Sequence, residues 1–337
     1  MNISNPNKLF GSKRLSVNAM RPFVHDDGKT YIINNNSKEL HTNDGLLMYD
    51  EWKDLDRNVV EVATDRLVGI ADLQSRGLTY NLGSLGVTYA QWEMSSDMTP
   101  ADFSMSGVTE GEEDTTAYKQ DAVPIPIVHK DFRLNIRRLE ASRRFGSALD
   151  VQNSTTAARL VAEASEDMLF AGKPIVVDGK EIYGYTNHPQ RNTESFSDVA
   201  WDQTTDNENI FADVQAMMDA ARDDNYYGPF TLYVPGNYES TLEEDFKPGS
   251  GDTRTVRERL LQINMLDNIV VADRLADDNV VLVQLTSDVV DLAVAQDVTT
   301  VQWSNDGGMS EEFKVMAAWA PRVKNDYDDK SGLVHLS

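Results

Sequence analysis

The spacing of hydrophobic residues predicts different structures in successive parts of the chain. From Trp52 to Ile70, apolar side chains recur every three or four positions, which predicts an amphipathic helix. Residues 78–95 then contain two strand-like pieces, LTYNL and VTYAQWEM. A polar, glycine-containing segment separates them from the next apolar run, near residue 122. A connection of that length is unusual inside a compact domain and indicates a functional loop or disorder.

The segment PIPIVHKDFRLNIRRLEASRR, residues 124–144, begins as a strand and ends in a cluster of arginines. Phe132, Leu134 and Ile136 alternate with polar residues, which predicts a strand with one buried and one exposed face. The arginines that follow are Arg137, Arg138, Arg143 and Arg144. Such a cluster needs an explanation in a chain whose formal net charge is −24.

The next segment, residues 153–171, has the pattern of a long helix. Asn153 or Ser154 can cap its start, and Gly172 can end it. The pattern predicts a buried face and a set of acidic residues off that face. The buried face comprises Ala157, Val161, Ala164 and Met168, and the acidic residues are Glu163, Glu166 and Asp167.

Predicted strands and helices alternate in the second half of the chain. Glycine and proline punctuate residues 173–193, which favours a hairpin followed by a loop. Residues 201–290 contain the amphipathic helix NIFADVQAMMDAARDDN, the buried strand FTLYVPG, the short helix TVRERLLQI and the strands NIVVADRL and NVVLVQLT. We therefore predict a separate α/β unit there, and strand-like runs such as EEFKVMAAWAPRV after it.

The chain is strongly acidic, with 36 Asp and 19 Glu against 18 Arg and 13 Lys. This preference for short, strongly hydrated acids suggests adaptation to high salt, where the Debye length falls from about 8 Å at physiological ionic strength to about 3 Å at 1 M. An ordinary acidic protein is the alternative, because net charge bears on solubility rather than on fold. Residues 1–25 depart from the bias: they contain no acid, and their basic residues are Lys8, Lys13, Arg14 and Arg21.

Composition excludes several kinds of chemistry. The chain has no cysteine, which excludes disulfides, thiolate metal sites and catalysis through sulfur. No run approaches the roughly 18 apolar residues of a membrane span, and the N-terminus lacks the apolar core of a secretory signal. We therefore expect a soluble protein that is not exported.

No motif assembles a catalytic, cofactor or metal site. The five histidines are scattered, and we expect them at surface or turn positions: His25, His41, His129, His188 and His335. The segment DYDDKSG, residues 326–332, starts like a calcium loop. However, Lys330 takes position five and Ser337 takes position twelve, where a carboxylate is required. We therefore predict no enzyme activity, no cofactor and no metal.

The order of these parts, with their residues, resembles the Hong Kong 97-type shell proteins, which are the major capsid proteins of tailed viruses and the related encapsulins. The resemblance lies in VPIPIVHKDFRLNIRRLEASRRFG, then ARLVAEASEDMLFAG and YGYTNHP, then GPFTLYVPGNYES and RERLLQINMLDNIVVADRL. It spans residues 50–337 and rests on fixed order and spacing, because no single piece is a catalytic fingerprint. It implies an α+β fold, the Hong Kong 97-like capsid fold.

The resemblance also implies a division of the chain. The N-terminal arm would comprise residues 1–50, a helix leading into the E-loop 51–77, the E-loop 78–122, the peripheral domain 123–200 with its spine helix at 153–171, the axial domain 201–290, and the closing strands of both domains 291–337. The E-loop of the family reaches over a neighbouring subunit. Its backbone and apolar groups then find partners on another chain, which explains the long connection.

The function that the resemblance implies is that of a major capsid protein in the virion of a tailed virus with a salt-adapted host. Pentamers and hexamers would assemble in the host cytoplasm into an icosahedral shell around double-stranded DNA, with scaffold, portal and decoration proteins as further partners. One alternative is an encapsulin compartment that encloses cargo enzymes, for which a more helical arm is expected. Another is a salt-adapted enzyme or surface-binding protein that shares only the architecture.

Two basic sets receive roles from the resemblance. We expect the first set, Arg137, Arg138, Arg143 and Arg144, to form ion pairs with carboxylates of neighbouring subunits, because the guanidinium fork matches a carboxylate. Solvated charges or local pairs worth about 0–1 kcal/mol each are the alternative. We expect the second set, Lys8, Lys13, Arg14 and Arg21, on the inner surface facing packaged DNA. No lysine lies between Lys53 and Lys119, so the lysine crosslink that the founding capsid forms from its E-loop is not expected.

Overall fold

The structure is a computed structural model that describes most of the chain beyond residue 66. It describes residues 67–96, 115–135, 152–204, 206–247, 254–305 and 310–337, the positions 57, 59–61, 98, 103, 105 and 137, and the backbone of 21–24, 30–33 and 39–42. The three backbone segments form an antiparallel sheet of β1 (Arg21–Val24), β2 (Thr30–Ile33) and β3 (Glu39–Thr42). These strands lie within the predicted N-terminal arm, whose sequence did not indicate them.

Helices and strands alternate irregularly along the remaining chain. The helices are α1 (Val68–Ser75), α2 (Gln152–Ala171), α3 (Asn207–Asp223), α4 (Glu239–Leu242) and α5 (Val256–Leu260). The strands are β4 (Thr79–Asn81), β5 (Tyr89–Ser95), β6 (Tyr118–Pro124), β7 (Ile127–Asn135), β8 (Lys173–Val177), β9 (Lys180–Ile182), β10 (Asn192–Glu194), β11 (Phe230–Val234), β12 (Leu266–Val271), β13 (Val280–Gln284), β14 (Val290–Asn305), β15 (Ser310–Val323) and β16 (Leu333–Leu336). No helix in these parts of the chain is both long and apolar enough to cross a bilayer.

The long helix α2 confirms the helix predicted over residues 153–171. It ends at Gly172, as predicted, where the backbone takes a φ of +66°. The predicted caps are wrong, because α2 begins at Gln152 and both Asn153 and Ser154 lie inside its first turn. The continuous helix predicted up to Ile70 is also wrong, because buried Leu67 has a non-helical backbone and α1 begins after it.

A four-stranded sheet in the order β4-β14-β15-β7 packs against α2. Strand β4 runs parallel to β14, and the other neighbours are antiparallel. Val161 and Leu169 of α2 share one hydrophobic core with Phe313 and Trp319 of β15. The Trp319 indole also donates a hydrogen bond to the Ser165 hydroxyl (2.9 Å), which fixes the helix on the sheet.

A five-stranded mixed sheet in the order β10-β16-β13-β11-β12 lies between two hydrophobic cores. Successive side chains of a strand point to opposite faces. Tyr233 and Val281 accordingly contact the core of α2, whereas Leu232 and Leu282 contact a second core that contains the apolar face of α3. All residues of β11 and β13 are buried, as predicted for FTLYVPG.

Two hairpins complete the described structure. Strands β8 and β9 pair antiparallel across a turn at Asp178 and Gly179, which confirms the hairpin predicted in residues 173–193. Strands β5 and β6 pair in the same way in the segment between β4 and β7.

Candidate assembly site at the β5–β6 hairpin and its base

The β5–β6 hairpin forms a sheet of its own. Its ladder runs from Tyr89 opposite Pro124 to Ser95 opposite Tyr118, and within the described residues neither strand pairs with a third strand. An isolated hairpin is at best marginally stable in water. The hairpin therefore depends on packing against other parts of the protein or against another molecule.

Large apolar side chains are exposed at the far end of the hairpin and on the segment beyond it. Phe103 and Met105 are fully exposed, and Met98 and Tyr118 are 59% and 65% exposed. Single exposed apolar residues are common on soluble proteins. Several large ones on a single connecting segment indicate a contact surface instead.

Polar contacts join the hairpin to the turn of the β8–β9 hairpin. The Lys180 Nζ atom lies 2.6 Å from Asp121 Oδ1, and the Tyr89 hydroxyl donates a hydrogen bond to Asp178 Oδ2 (2.8 Å). These groups are partly exposed, so the ion pair contributes about 0–1 kcal/mol. These contacts matter mainly for position, because they fix the direction of the β5–β6 hairpin relative to the β8–β9 hairpin.

A buried ion cluster fixes the base of the hairpin. Arg322 donates two hydrogen bonds of 2.6 Å to the Asp291 carboxylate, and Lys324 Nζ lies 2.7 Å from the same group. The Arg322 guanidinium also stacks over the ring of Tyr80 at 4.1 Å and donates to the Gln91 carbonyl (3.4 Å). Arg322 and Asp291 are 4% and 6% exposed. Arg322 of β15 thus joins β14 to β4 and to β5, the first strand of the hairpin.

The helix that precedes the hairpin, α1, is attached to α2 by a buried carboxylate. Glu166 of α2 accepts hydrogen bonds from the backbone N–H groups of Gly69 (3.2 Å) and Ile70 (3.0 Å). Helix α1 has no side-chain cap of its own, because Leu67 occupies the cap position. Glu166 therefore satisfies free N–H groups of α1 from another helix, and in its ionised form it places negative charge at the positive end of α1. A side chain at Gly69 would crowd this contact, since its Cβ would lie 2.6 Å from Leu169 Cδ2 and 3.3 Å from Glu166 Oε2, and the neighbouring side chains would have to move.

The position of Glu166 corrects the sequence analysis, which placed this residue off the buried face of the helix. Glu166 is 1% exposed, while Ala164, predicted to be buried, is only partly so. Burial raises the pKa of Glu166 to about 7, and the two backbone hydrogen bonds oppose that rise. A polar residue within a helical pattern is normally taken to be exposed. Nothing in the sequence around Glu166 indicates that its partners, Gly69 and Ile70, lie almost 100 residues earlier in the chain.

Most of the predicted basic residues lie outside the part of the chain that the structure describes. Arg137 is exposed and its backbone N–H donates to the Asn135 side chain (2.9 Å). The other three arginines, Arg138, Arg143 and Arg144, lie outside the described residues. In the arm, Arg21 belongs to β1, and Lys8, Lys13 and Arg14 also lie outside the described residues. The roles of both sets stay predictions.

The histidine prediction is correct for His129 and His188 and wrong for His335, and the side chains of His25 and His41 lie outside the described residues. His129 is half exposed beside Asp131. His188 and His335 are 4% and 5% exposed, but His188 opens a turn in which its carbonyl accepts from the Arg191 N–H (3.3 Å), whereas His335 is a buried residue of strand β16. Burial lowers the pKa of both imidazoles to about 4. The turn at residues 326–332 is closed by its own hydrogen bonds, with Asp326 Oδ1 accepting from two backbone N–H groups. In the described parts of the chain, no three His, Asp or Glu side chains are placed to hold a metal ion.

Comparison with known proteins places almost the entire chain in one family. A family model described as "Family of unknown function (DUF6260)" matches residues 41–336. The chain belongs to this family.

Curated relatives of this DUF6260 protein are shell proteins. The type 1 encapsulin shell protein EncA of Myxococcus xanthus (strain DK1622) is 27% identical over 287 residues, which cover 83% of this chain and 91% of that protein. The diheme-cytochrome-encapsulin shell fusion protein of Kuenenia stuttgartiensis is 24% identical over 277 residues, which cover 82% and 70%.

Solved structures confirm the predicted fold. The virus-like particle from Pyrococcus furiosus matches with a TM-score of 0.63 at 19% identity, over 85% of this chain and 99% of that one. The capsid of Myoviridae Phage XM1 matches with a TM-score of 0.61 at 12% identity, over 80% and 92%. The DUF6260 protein therefore has the Hong Kong 97-like fold, and together these matches support a shell protein of the capsid and encapsulin type.

Proposed function

We propose that this protein is a structural shell protein, many copies of which close into an icosahedral shell, and that it catalyses no reaction. The observation that carries the proposal is the apolar end of the β5–β6 hairpin, where Phe103 and Met105 are fully exposed. Burial of these two side chains on a neighbouring copy would contribute about 3–6 kcal/mol per contact, at about 1.5–3 kcal/mol each. The likeness to shell proteins over 83% and 82% of the chain supports it.

In this proposal each part of the chain has one role. Residues 78–122 reach over a neighbouring subunit, with residues 51–77 leading into them and residues 1–50 forming the arm. Residues 123–200 form the peripheral domain around α2, and residues 201–290 form the axial domain. Residues 291–337 supply closing strands to both, which agrees with β15 lying in one sheet and β16 in the other. Arg137, Arg138, Arg143 and Arg144 pair with carboxylates of neighbouring subunits.

For the contents of the shell, we propose double-stranded DNA of a tailed virus with a salt-adapted host. The supporting feature lies in residues 1–25, which have no acid in a chain of net charge −24, because an acidic lining would be repelled by packaged DNA. Assembly would take place in the host cytoplasm, with scaffold, portal and decoration proteins as partners.

A protein-storing compartment is the second candidate for the contents. The names of both curated relatives favour it, since each is an encapsulin shell protein. Particles purified from native cells distinguish the two candidates. Nuclease-protected double-stranded DNA inside the particles would support a virus capsid, and a single abundant enclosed protein without DNA would support a compartment.

Shell formation is tested by the double variant Phe103→Ser with Met105→Ser. We expect it to remain folded by circular dichroism and to elute as small oligomers on gel filtration in molar salt, where the wild type elutes as large particles. Val199→Ser is the control, since Val199 is an exposed apolar residue outside the hairpin. Normal particles from the double variant would contradict the role of the hairpin.

A further inference from the structure

The β8–β9 hairpin carries a run of three exposed aliphatic residues on β8. Ile175, Val176 and Val177 are 41%, 61% and 40% exposed. Successive side chains of a strand point to opposite faces, so this apolar run is exposed on both faces of the hairpin. Single exposed apolar residues are ordinary on soluble proteins, but three in succession indicate a contact surface.

The pairing of β8 explains why its apolar run is not covered within the hairpin. Strand β8 pairs with β9 at Lys173 opposite Ile182 and at Val177 opposite Lys180. Residues 174–176 of β8 thus stand against a single residue of β9, and extra residues of this kind bend a strand. Within the described residues, β8 has no second strand neighbour. The apolar run therefore needs a cover from outside its own hairpin.

The segment beyond the β5–β6 hairpin supplies a second apolar surface, and the subunit does not join the two. Phe103 and Met105 of this segment are fully exposed. The base of the hairpin contacts the β8–β9 turn, where the Tyr89 hydroxyl donates to Asp178 (2.8 Å). The other end of the ladder, at Ser95, lies about 20 Å from Tyr89 at about 3.3 Å per residue. A second copy of the chain can bring the two surfaces together.

The charges beside the two apolar surfaces are also complementary. The sequence that follows Met105 is acidic, with TEGEED at 109–114. Lys173 stands at the start of β8, and its Nζ atom lies 3.9 Å from Asp167 Oδ2. Arg274 already binds that carboxylate through hydrogen bonds of 2.7 and 2.8 Å. Lys173 can therefore pair with a carboxylate from a neighbouring subunit.

We propose that the apolar run of β8 is the docking surface for the segment that carries Phe103 and Met105 of a neighbouring copy. The inference rests on the proposed shell function and names the surface that receives the end of the hairpin. The contact joins two different surfaces of identical subunits, so it is heterologous, and its repetition by rotation closes a ring. Rings of five and six subunits are the units of the proposed icosahedral shell.

Engineered cysteines test the contact, because the chain has no cysteine of its own. The double variant Met105→Cys with Val176→Cys is assembled in molar salt, oxidised, and separated by SDS electrophoresis without reductant. We expect a ladder of dimers, trimers and larger multimers that disappears on reduction. Neither single variant should give this ladder. The matched control is Met105→Cys with Val199→Cys, since Val199 is an exposed valine outside both hairpins.

Each other result has a distinct meaning. A crosslinked monomer would show that the two surfaces meet within one chain, and dimers from a single variant would show that a surface pairs with itself. Either result would overturn the proposal. Particles without the ladder would also overturn it and would leave the shell function intact. Absence of particles from the wild-type protein would contradict the shell function and this inference with it.

A charge substitution gives a second measurement that does not depend on the cysteine variants. Val176→Asp places a carboxylate in the apolar run, and the protein concentration needed for assembly should rise by about tenfold or more. The circular dichroism spectrum should not change, because Val176 is exposed. Val199→Asp should assemble like the wild type. Equal assembly of the two variants would overturn the proposal.

Discussion

The Glu166→Gln variant should change how the stability of the subunit depends on pH. In the wild type, the Glu166 carboxylate is buried against α1 and accepts hydrogen bonds from the N–H groups of Gly69 and Ile70. Glutamine has nearly the same shape and keeps one acceptor oxygen, but it does not titrate. The difference in stability between the two proteins therefore reports the protonation of this one carboxyl group.

The magnitude follows from the pKa of Glu166, which burial raises from 4.5 to about 7. The folded state holds the proton more tightly than the unfolded state. The carboxyl group therefore contributes its full stability below pH 4.5, and that contribution is lost as the pH rises through 7. Each pH unit between the folded and unfolded pKa is worth about 1.4 kcal/mol. The wild type should thus lose about 3 kcal/mol relative to the variant between pH 4.5 and pH 8.

Urea denaturation of both proteins at a series of pH values, at one salt and protein concentration, measures this difference. His188 and His335 have pKa values lowered by burial, so their contributions are lost as the pH falls below 6.5, in the opposite sense. They are present in both proteins and cancel in the comparison. Glu163→Gln, on the same helix but more exposed, is the control. A constant stability difference between wild type and Glu166→Gln from pH 4.5 to 8 would refute the reasoning.

Three further predictions concern the base of the hairpin and the charge of the shell. Asp291→Asn leaves Arg322 and Lys324 buried without their carboxylate, and urea denaturation should show that the free energy of unfolding falls by about 3–5 kcal/mol. Asp288 is exposed, so the control variant Asp288→Asn should show almost no change. Equal stability of the two variants would contradict the role of the cluster. Dialysis from molar to dilute salt should loosen or dissociate the particles, since the Debye length then grows and acidic subunits repel each other; light scattering that stays constant would count against this. Replacing Arg137, Arg138, Arg143 and Arg144 with glutamine should impair assembly and leave the circular dichroism spectrum unchanged. Normal particles from this variant would contradict the proposed ion pairs between subunits.

The parts of the fold that could be predicted from the sequence are those with a local signal. Helix α2 follows from three- and four-residue spacing and from the glycine at its end, and the buried strand β11 follows from an apolar run bounded by prolines. The fold class came from the resemblance of these elements, in their order and with their residues, to the Hong Kong 97-type shell proteins. The break at Leu67 was missed because its side chain is buried and continues the helical spacing, although its backbone is not helical.

The candidate site was predictable only as a segment. Its length and polarity marked residues 78–122 as unusual, but neither feature indicates which groups hold the base of the hairpin. Arg322 contacts Asp291, Tyr80 and Gln91, and these contacts join strands that lie far apart in the chain. The one available signal was an arginine inside an otherwise apolar run, because a charge in such a position must be paired when buried. Glu166 gave no signal, since its partners Gly69 and Ile70 are set by tertiary packing.

Electron microscopy of the purified protein in molar salt tests the central claim most directly. We expect closed, icosahedral particles of uniform diameter, in which the segment carrying Phe103 and Met105 contacts a neighbouring subunit. A field of separate 37.7 kDa subunits at every salt concentration would contradict it.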